Sequence, residues 1–200
     1  MTAGPLEGVR VLEIGNFIAG PFAGQLLGDY GADVIKVESP GDGDPMRRWG
    51  VTRNGESLWW PTIARNKRSI VLDMRQQSAR RVAAQLAEHC DVVLENFRPG
   101  TLDRWGMSYA ELSARNPKLV MVHVSGFGQT GPLAEQAGFG SVGEAMGGIR
   151  HTTGEADRQP SRAGIPLGDA PASVFAVRGT LAGVDGGRPD GAGQGRGAGD

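Results

Sequence analysis

Short apolar, β-branched runs recur along the chain, and amphipathic stretches separate them. Residues 9–14 (VRVLEI) form the first run, which stops at Gly15. Residues 21–27 follow with a helical pattern; Pro21 sits in the first turn, where its missing N–H does no harm, and Gly31 closes the helix. Residues 33–38 (DVIKVE) read as a second strand, so the chain opens as β-α-β, the unit of a parallel sheet. Further strands are predicted at residues 69–73, 91–97 and 119–124. Residues 79–89 place Val82, Leu86 and the following Cys90 at helical spacing, and Ser108 with Glu111 three positions later is a capping box for a short helix. Near-continuous apolar strands in this alternation predict an α/β fold: a buried, Rossmann-like parallel sheet with helices on both faces.

Residues 39–62 break the rhythm. They are rich in Gly, Pro, Asp and Arg, carry Trp49, Trp59 and Trp60, and read as a long surface excursion. Beyond Gly138 the pattern predicts a Gly-rich helix over 142–148, a polar loop over 151–162, and a helix over 170–182 with Val174, Val177 and Leu181 on one face. From 183 to 200 Gly is nearly every second residue. Such a segment buries too little to offset its ordering entropy and is predicted to be disordered. The domain is therefore expected over residues 5–182, with a Gly-rich tail over 183–200.

Bulk properties narrow the function. The 200 residues carry a formal net charge of -1, which gives no reason to expect nucleic-acid binding. No run approaches the roughly 18 apolar residues of a membrane span, and the N-terminus lacks the basic and apolar regions of a secretory signal. Cys90 is the single cysteine, which fits a reducing compartment, so a cytoplasmic location is expected. His89, His123 and His151 are scattered without metal-ligand spacing, so no metal is expected, and there is no G-x-S-x-G nucleophile elbow.

Four motifs could carry chemistry. The turn over 15–21 (GNFIAGP) lies between a strand and a helix, where a phosphorylated ligand can meet backbone N–H groups. Its spacing is not G-x-G-x-x-G, so a plain β-α turn is an equal reading and a nucleotide-binding oxidoreductase is a weaker one. The basic run Arg65-Asn66-Lys67-Arg68, with Lys36, Arg47, Arg48, Arg75, Arg98 and Arg104 elsewhere, could hold phosphates or could be a solvated charged surface. Residues 95–100 (ENFRPG) sit where a central strand leaves the sheet, the usual ligand edge of such folds. Residues 164–169 (GIPLGD) lead into a helix; the dipole and free N–H groups there favour an ionised Asp169, although a helix-capping Asp does the same for structural reasons.

Taken in order, residues 5–13, 19–22, 27–38, 66–70, 95–100, 125–132 and 168–169 form a series that resembles the family III CoA-transferases. That group contains formyl-CoA transferase, carnitine CoA-transferase and α-methylacyl-CoA racemase. The resemblance implies a substrate pair of an acyl-CoA and a carboxylic acid, with Asp169 attacking the thioester. A mixed aspartyl-acyl anhydride and then an aspartyl-CoA thioester follow. It places Ile18, Ala19, Leu72, Asp73, Met74, Arg75, Asn96, Phe97, Arg98 and Arg104 along the coenzyme A, and implies an interlocked homodimer.

Two positions depart from family patterns. Ile18 stands where formyl-CoA transferase-like sequences carry Gln, which argues against a formyl/oxalate pair. Residues 138–140 read Gly-Phe-Gly where racemases carry a His-Asp step, which disfavours the racemase-like alternative. Family members continue well beyond this length, and the resemblance fades near residue 182. The sequence therefore reads as the N-terminal part of such an enzyme, truncated, with a non-catalytic fragment as the alternative. If the chain ends there, poor folding and no transferase activity alone are expected.

Overall fold

The computed structural model describes residues 4–186. Strand β1 (Arg10–Ile14), helix α1 (Ala19–Asp29) and strand β2 (Asp33–Glu38) form the opening β-α-β unit. A short 3-10 turn over Pro45–Arg48, a hairpin of β3 (Thr52–Arg53) and β4 (Glu56–Ser57), and helix α2 (Trp60–Ile63) lead to strand β5 (Lys67–Val71). Helix α3 (Gln77–Ala87), strand β6 (Val92–Glu95), helices α4 (Thr101–Arg104) and α5 (Tyr109–Ser113) and strand β7 (Val120–His123) complete the sheet. Helices α6 (Gly140–Met146) and α7 (Asp169–Gly186) follow. The expected tail partly resolves differently: α7 runs on through 183–186, and the rest of the tail lies outside the described residues.

The main sheet has five parallel strands in the order β5-β2-β1-β6-β7. Alternate side chains of each strand feed two separate cores, as a pleat of period two requires. Leu12, Ile14, Ile35, Val37, Val93 and Met121 pack with Ala83, Ala84 and Ala87 of α3 and Leu112 of α5. Val11, Val34, Val92, Leu94, Val120 and Val122 pack on the other face with Ala23 and Leu27 of α1 and Val177 of α7. The parallel α/β sandwich expected from the sequence is what forms.

Several details differ from the sequence expectation. Strand β5 begins at Lys67 rather than residue 69, and as an edge strand it is largely exposed. Helix α3 buries Ala83, Ala84 and Ala87 and leaves Val82 42% exposed, because small side chains let it lie close on the sheet. Helix α7 buries Ser173, Val177 and Thr180, while Val174 and Leu181 point outward. Ser173 and Thr180 are tolerated inside because their hydroxyls reach carbonyls, Ser173 between those of Ala19 and Asp169 and Thr180 that of Ala176. The capping box at Ser108 and Glu111 forms as expected.

The excursion over 39–62 is more than a surface loop, since Asp44, Met46 and Ser57 are buried. Its base is tied to the end of β2 by Glu38, which accepts two hydrogen bonds from Arg47 (2.7 and 2.8 Å), one from Ser69 and one from the Asp44 N–H. The Arg47 guanidinium lies 4.1 Å from the Trp60 ring centroid. Burial pushes the Glu38 carboxyl up, but these donors outweigh it and hold it at about 2, against an ordinary 4.5. A depressed folded-state value stabilises the fold above the ordinary value, and that contribution is lost as pH falls towards the folded one. Glu38→Gln is therefore expected to flatten the acid limb of the urea-midpoint-against-pH curve between about pH 4.5 and about pH 2. An unchanged limb would contradict this account.

A carboxylate beside a glycine-walled cleft

Strand order reverses between β1 and β6, so the chains leaving their C-terminal ends diverge and open a crevice. Asn96 spans it. Its Oδ1 accepts from the Asn16 N–H at 2.9 Å and its Nδ2 donates to the Asn16 carbonyl at 2.9 Å, closing a reciprocal pair between the two turns. At the end of β6, Glu95 accepts from the Phe97 N–H at 2.7 Å and meets His123 Nδ1 at 2.6 Å, which sets the exit of the 95–100 turn.

The first turn is held from below by charges that are fully buried. Glu13 meets Lys36 at 2.9 Å and Lys67 at 2.7 Å, and Lys36 also meets Asp44 at 2.8 Å. Lys36 donates to the Gly15 carbonyl (2.8 Å), Lys67 to the Pro21 carbonyl (2.6 Å), and Asp44 accepts from the Phe17 N–H (3.1 Å). Gly24 of α1 makes room for Glu13, since a Cβ there would overlap its carboxylate. Phe17 is held at φ +64, a left-handed conformation that a bulky residue adopts only under constraint. Burial pulls the Lys36 ammonium down, but Glu13 and Asp44 outweigh it and its net shift is upward. Lys67 moves the other way, with burial the largest cause and neighbouring Lys36 adding to it.

Above these turns lies a cleft of about 420 Å³. It is lined by residues 16–19 after β1, 96–99 after β6, 124–126 after β7, the start of α6 and the start of α7. Asp169, the first residue of α7, lines it directly. Ser173 pins α7 against α1 by donating to the Ala19 carbonyl at 2.6 Å, which brings Asp169 over Ile18 and Ala19. A Cβ on Gly140 would collide with Asp169 Oδ2, so glycine at that position is what lets the carboxylate lie against α6.

The sequence reading expected the helix dipole to keep Asp169 readily ionised. Its environment pulls the other way: burial first, then the charge of Glu144, raise its carboxyl above the ordinary 3.8, with Arg162 opposing them. Glu144 lies on α6 and is buried, with Oε2 lacking a hydrogen-bond partner.

Ile18, Ala19, Asn96, Phe97, Arg98 and Asp169 thus converge on one cleft. Leu72, Asp73, Met74, Arg75 and Arg104 do not line it. Leu72 and Met74 pack against the core, Arg75 pairs with Asp73 at 2.8 Å, and Arg104 donates to Thr101 at 3.0 Å. These two groups are nonetheless neighbours: the Phe97 and Trp105 ring centroids are 5.2 Å apart, Arg80 lies 5.6 Å from the Trp105 centroid, and Arg80 Nε donates to the Met74 carbonyl.

The basic run read as a possible phosphate site has partners of its own. Arg65 is bound by Asp29, Arg68 by Asp33, Arg47 by Glu38 and Arg48 by Asp42, while Lys36 and Lys67 are interior. The Glu13–Lys36–Lys67–Asp44 network escaped the sequence reading because charged residues are normally surface residues. A lysine and glutamates inside otherwise apolar strands were the available signal.

The fold is thus a parallel α/β domain with an Asp-bearing cleft at the switch point of its five-stranded sheet. The CoA-transferase family III profile matches residues 6–195, and the chain belongs to that family. It is 60% identical over 178 residues to succinyl-CoA–D-citramalate CoA-transferase of Chloroflexus aurantiacus, covering 88% of this chain and 44% of that protein. It is 39% identical over 181 residues to human succinyl-CoA:glutarate CoA-transferase, covering 90% of this chain and 41% of that protein. A CAIB/BAIF family protein from Brucella suis superposes with a TM-score of 0.82 at 42% identity, over 90% of this chain and 50% of that structure. The chain spans less than half the length of these curated relatives. Among the described residues no helix is long and apolar enough to cross a membrane, and no cluster of three or more His, Cys, Asp or Glu could hold a metal ion.

Proposed function

We propose that the chain is the acyl-CoA-binding, nucleophile-bearing part of a CoA-transferase that moves CoA from succinyl-CoA to a dicarboxylic acid. The observation that carries this reading is the placement of Asp169, half-buried and open to a cleft of about 420 Å³ at the sheet's switch point. Asp169 Oδ attacks the thioester carbonyl carbon, the C–S bond breaks, and CoA leaves as thiolate with the electron pair, giving a mixed anhydride. The thiolate returns to the Asp169 carbonyl and releases succinate, which leaves an aspartyl-CoA thioester. An acceptor carboxylate then repeats the two steps in reverse. A carboxylate is a weak nucleophile, so the gain lies in holding it against the bound thioester with water largely excluded.

The cleft suits the thioester and the inner part of the CoA arm, with Ile18, Ala19, Asn96 and Phe97 as its walls. The strip from Phe97 through Trp105 and Arg80 to Met74 then leads the rest of the arm out towards Leu72, Asp73, Arg75 and Arg104. The acyl pair is taken from the relatives, whose names carry succinyl-CoA with citramalate or glutarate. A second copy of the chain, as the family resemblance implies, belongs to this reading. Phe139 stands at the cleft where a racemase-like reading needs an imidazole, which favours transfer over racemisation.

Incubation with succinyl-CoA followed by digestion and mass spectrometry tests the reading. A CoA-sized mass increment on the peptide containing Asp169, discharged by hydroxylamine, is expected. An adduct on another residue, or no adduct under conditions where succinyl-CoA binds, would count against it.

A further inference from the structure

Asp169 does not stand alone in its wall of the cleft. Gly140 of α6 lies against Asp169 Oδ2, and Glu144 follows Gly140 by four residues, one helical turn further along the same face. The Glu144 side chain is 1% exposed, and its Oε2 has no hydrogen-bond partner. An interior carboxyl without a donor is costly to keep, and neither core packing nor a local ion pair accounts for it here. Among the described residues, the charges that act on Asp169 are Glu144 from α6 and Arg162 from the loop before α7.

We infer that Glu144 is a positioning residue for the reaction: a buried carboxyl that destabilises the Asp169 carboxylate and is relieved when Asp169 turns into a neutral anhydride or thioester. This rests on the proposed role of Asp169 as nucleophile. In the resting site the charge of Glu144 acts on Asp169 against that of Arg162. When the Asp169 oxygen bonds to the thioester carbon, its negative charge passes to the departing thiolate, and the repulsion with Glu144 ends. The same contact that weakens the free carboxylate therefore favours the covalent intermediates relative to it, an effect felt along the reaction rather than in substrate binding.

The test is a pH titration of the Asp169 side-chain carbonyl by ¹³C NMR on Asp-labelled protein, assigned by the signal missing from Asp169→Asn. In the unaltered chain the signal is expected to titrate above the ordinary 3.8. In Glu144→Gln a midpoint at lower pH is expected, with a slower rate of CoA-adduct formation at saturating succinyl-CoA and little change in the concentration for half-saturation. Glu144→Asp, which keeps the charge on a shorter stem, should restore part of the upward shift. An ordinary titration midpoint for Asp169 in the unaltered chain overturns the inference without any variant having to fold, as does an unmoved midpoint in folded Glu144→Gln. A Glu144-dependent Asp169 midpoint without any Asp169 adduct would instead sink the transferase reading and leave the pairing standing.

Discussion

Asp169→Asn is expected to abolish formation of the CoA adduct and to lower CoA transfer from succinyl-CoA by at least about a thousandfold. The amide keeps the size and most of the shape of the carboxylate but has no anionic oxygen with which to open the thioester. The same substitution should raise the melting temperature. Burial and Glu144 lift the Asp169 carboxyl in the folded chain above its ordinary 3.8, so folding carries a cost wherever that group is ionised. For a carboxyl raised on folding, this cost is absent below the unfolded value and grows as pH rises through the folded one. The stability gap between variant and unaltered protein should thus be widest near neutrality and close below about pH 3.8. Loss of activity together with a lower melting temperature at every pH would point to a structural Asp169 and remove it from the chemistry. Nucleophiles often stabilise a reaction at the expense of the fold, and the two readouts separate these contributions.

Lys36→Met should cost about 3–5 kcal/mol of unfolding free energy, read from urea denaturation monitored by far-ultraviolet circular dichroism. Lys36 is 1% exposed and sits between two carboxylates, Glu13 and Asp44, while also donating to the Gly15 carbonyl. Removing the ammonium leaves Asp44 without its cation and Glu13 with Lys67 alone, and a buried unpaired charge is far more costly than an exposed one. The loss should change little with added salt, because counter-ions do not reach interior pairs. Loss of Arg68, paired with Asp33 on the surface, should by contrast cost less than about 1 kcal/mol. A Lys36→Met penalty as small as the surface one would mean that the interior network contributes nothing. The substitution should also loosen the turn over 15–18, since Gly15 and Phe17 both depend on this network, and so weaken CoA binding as well as stability.

How far the sequence carries follows from what each residue type signals. The sheet was legible because parallel strands buried on both sides are written as unbroken β-branched runs. The cleft was legible because its walls are the turns that end those runs. Asp169 was singled out by resemblance rather than by its local pattern, and it lines the cleft. The register of β5 was missed because Lys67 and Arg68 read as a loop, although Lys67 is an interior residue whose ammonium reaches Glu13. The buried face of α7 was missed for a related reason. Val174 and Leu181 are the obvious apolar candidates, but Ser173 and Thr180 can lie closer to α1 and β7 because their hydroxyls find carbonyl partners. Glu144 is the same lesson beside the cleft: charge at an interior position is invisible to a rule that places charge outside.

The single thiol has a practical consequence. Cys90 is 2% exposed, just after α3, and burial pushes its ionisation up to about 11. An alkylating reagent at neutral pH therefore meets neither a thiolate nor an accessible sulfur while the domain is closed. Its rate of modification becomes a clock for opening events that separate α3 from the sheet, and a bound acyl-CoA that clamps the cleft should be heard in that clock as a slower tick.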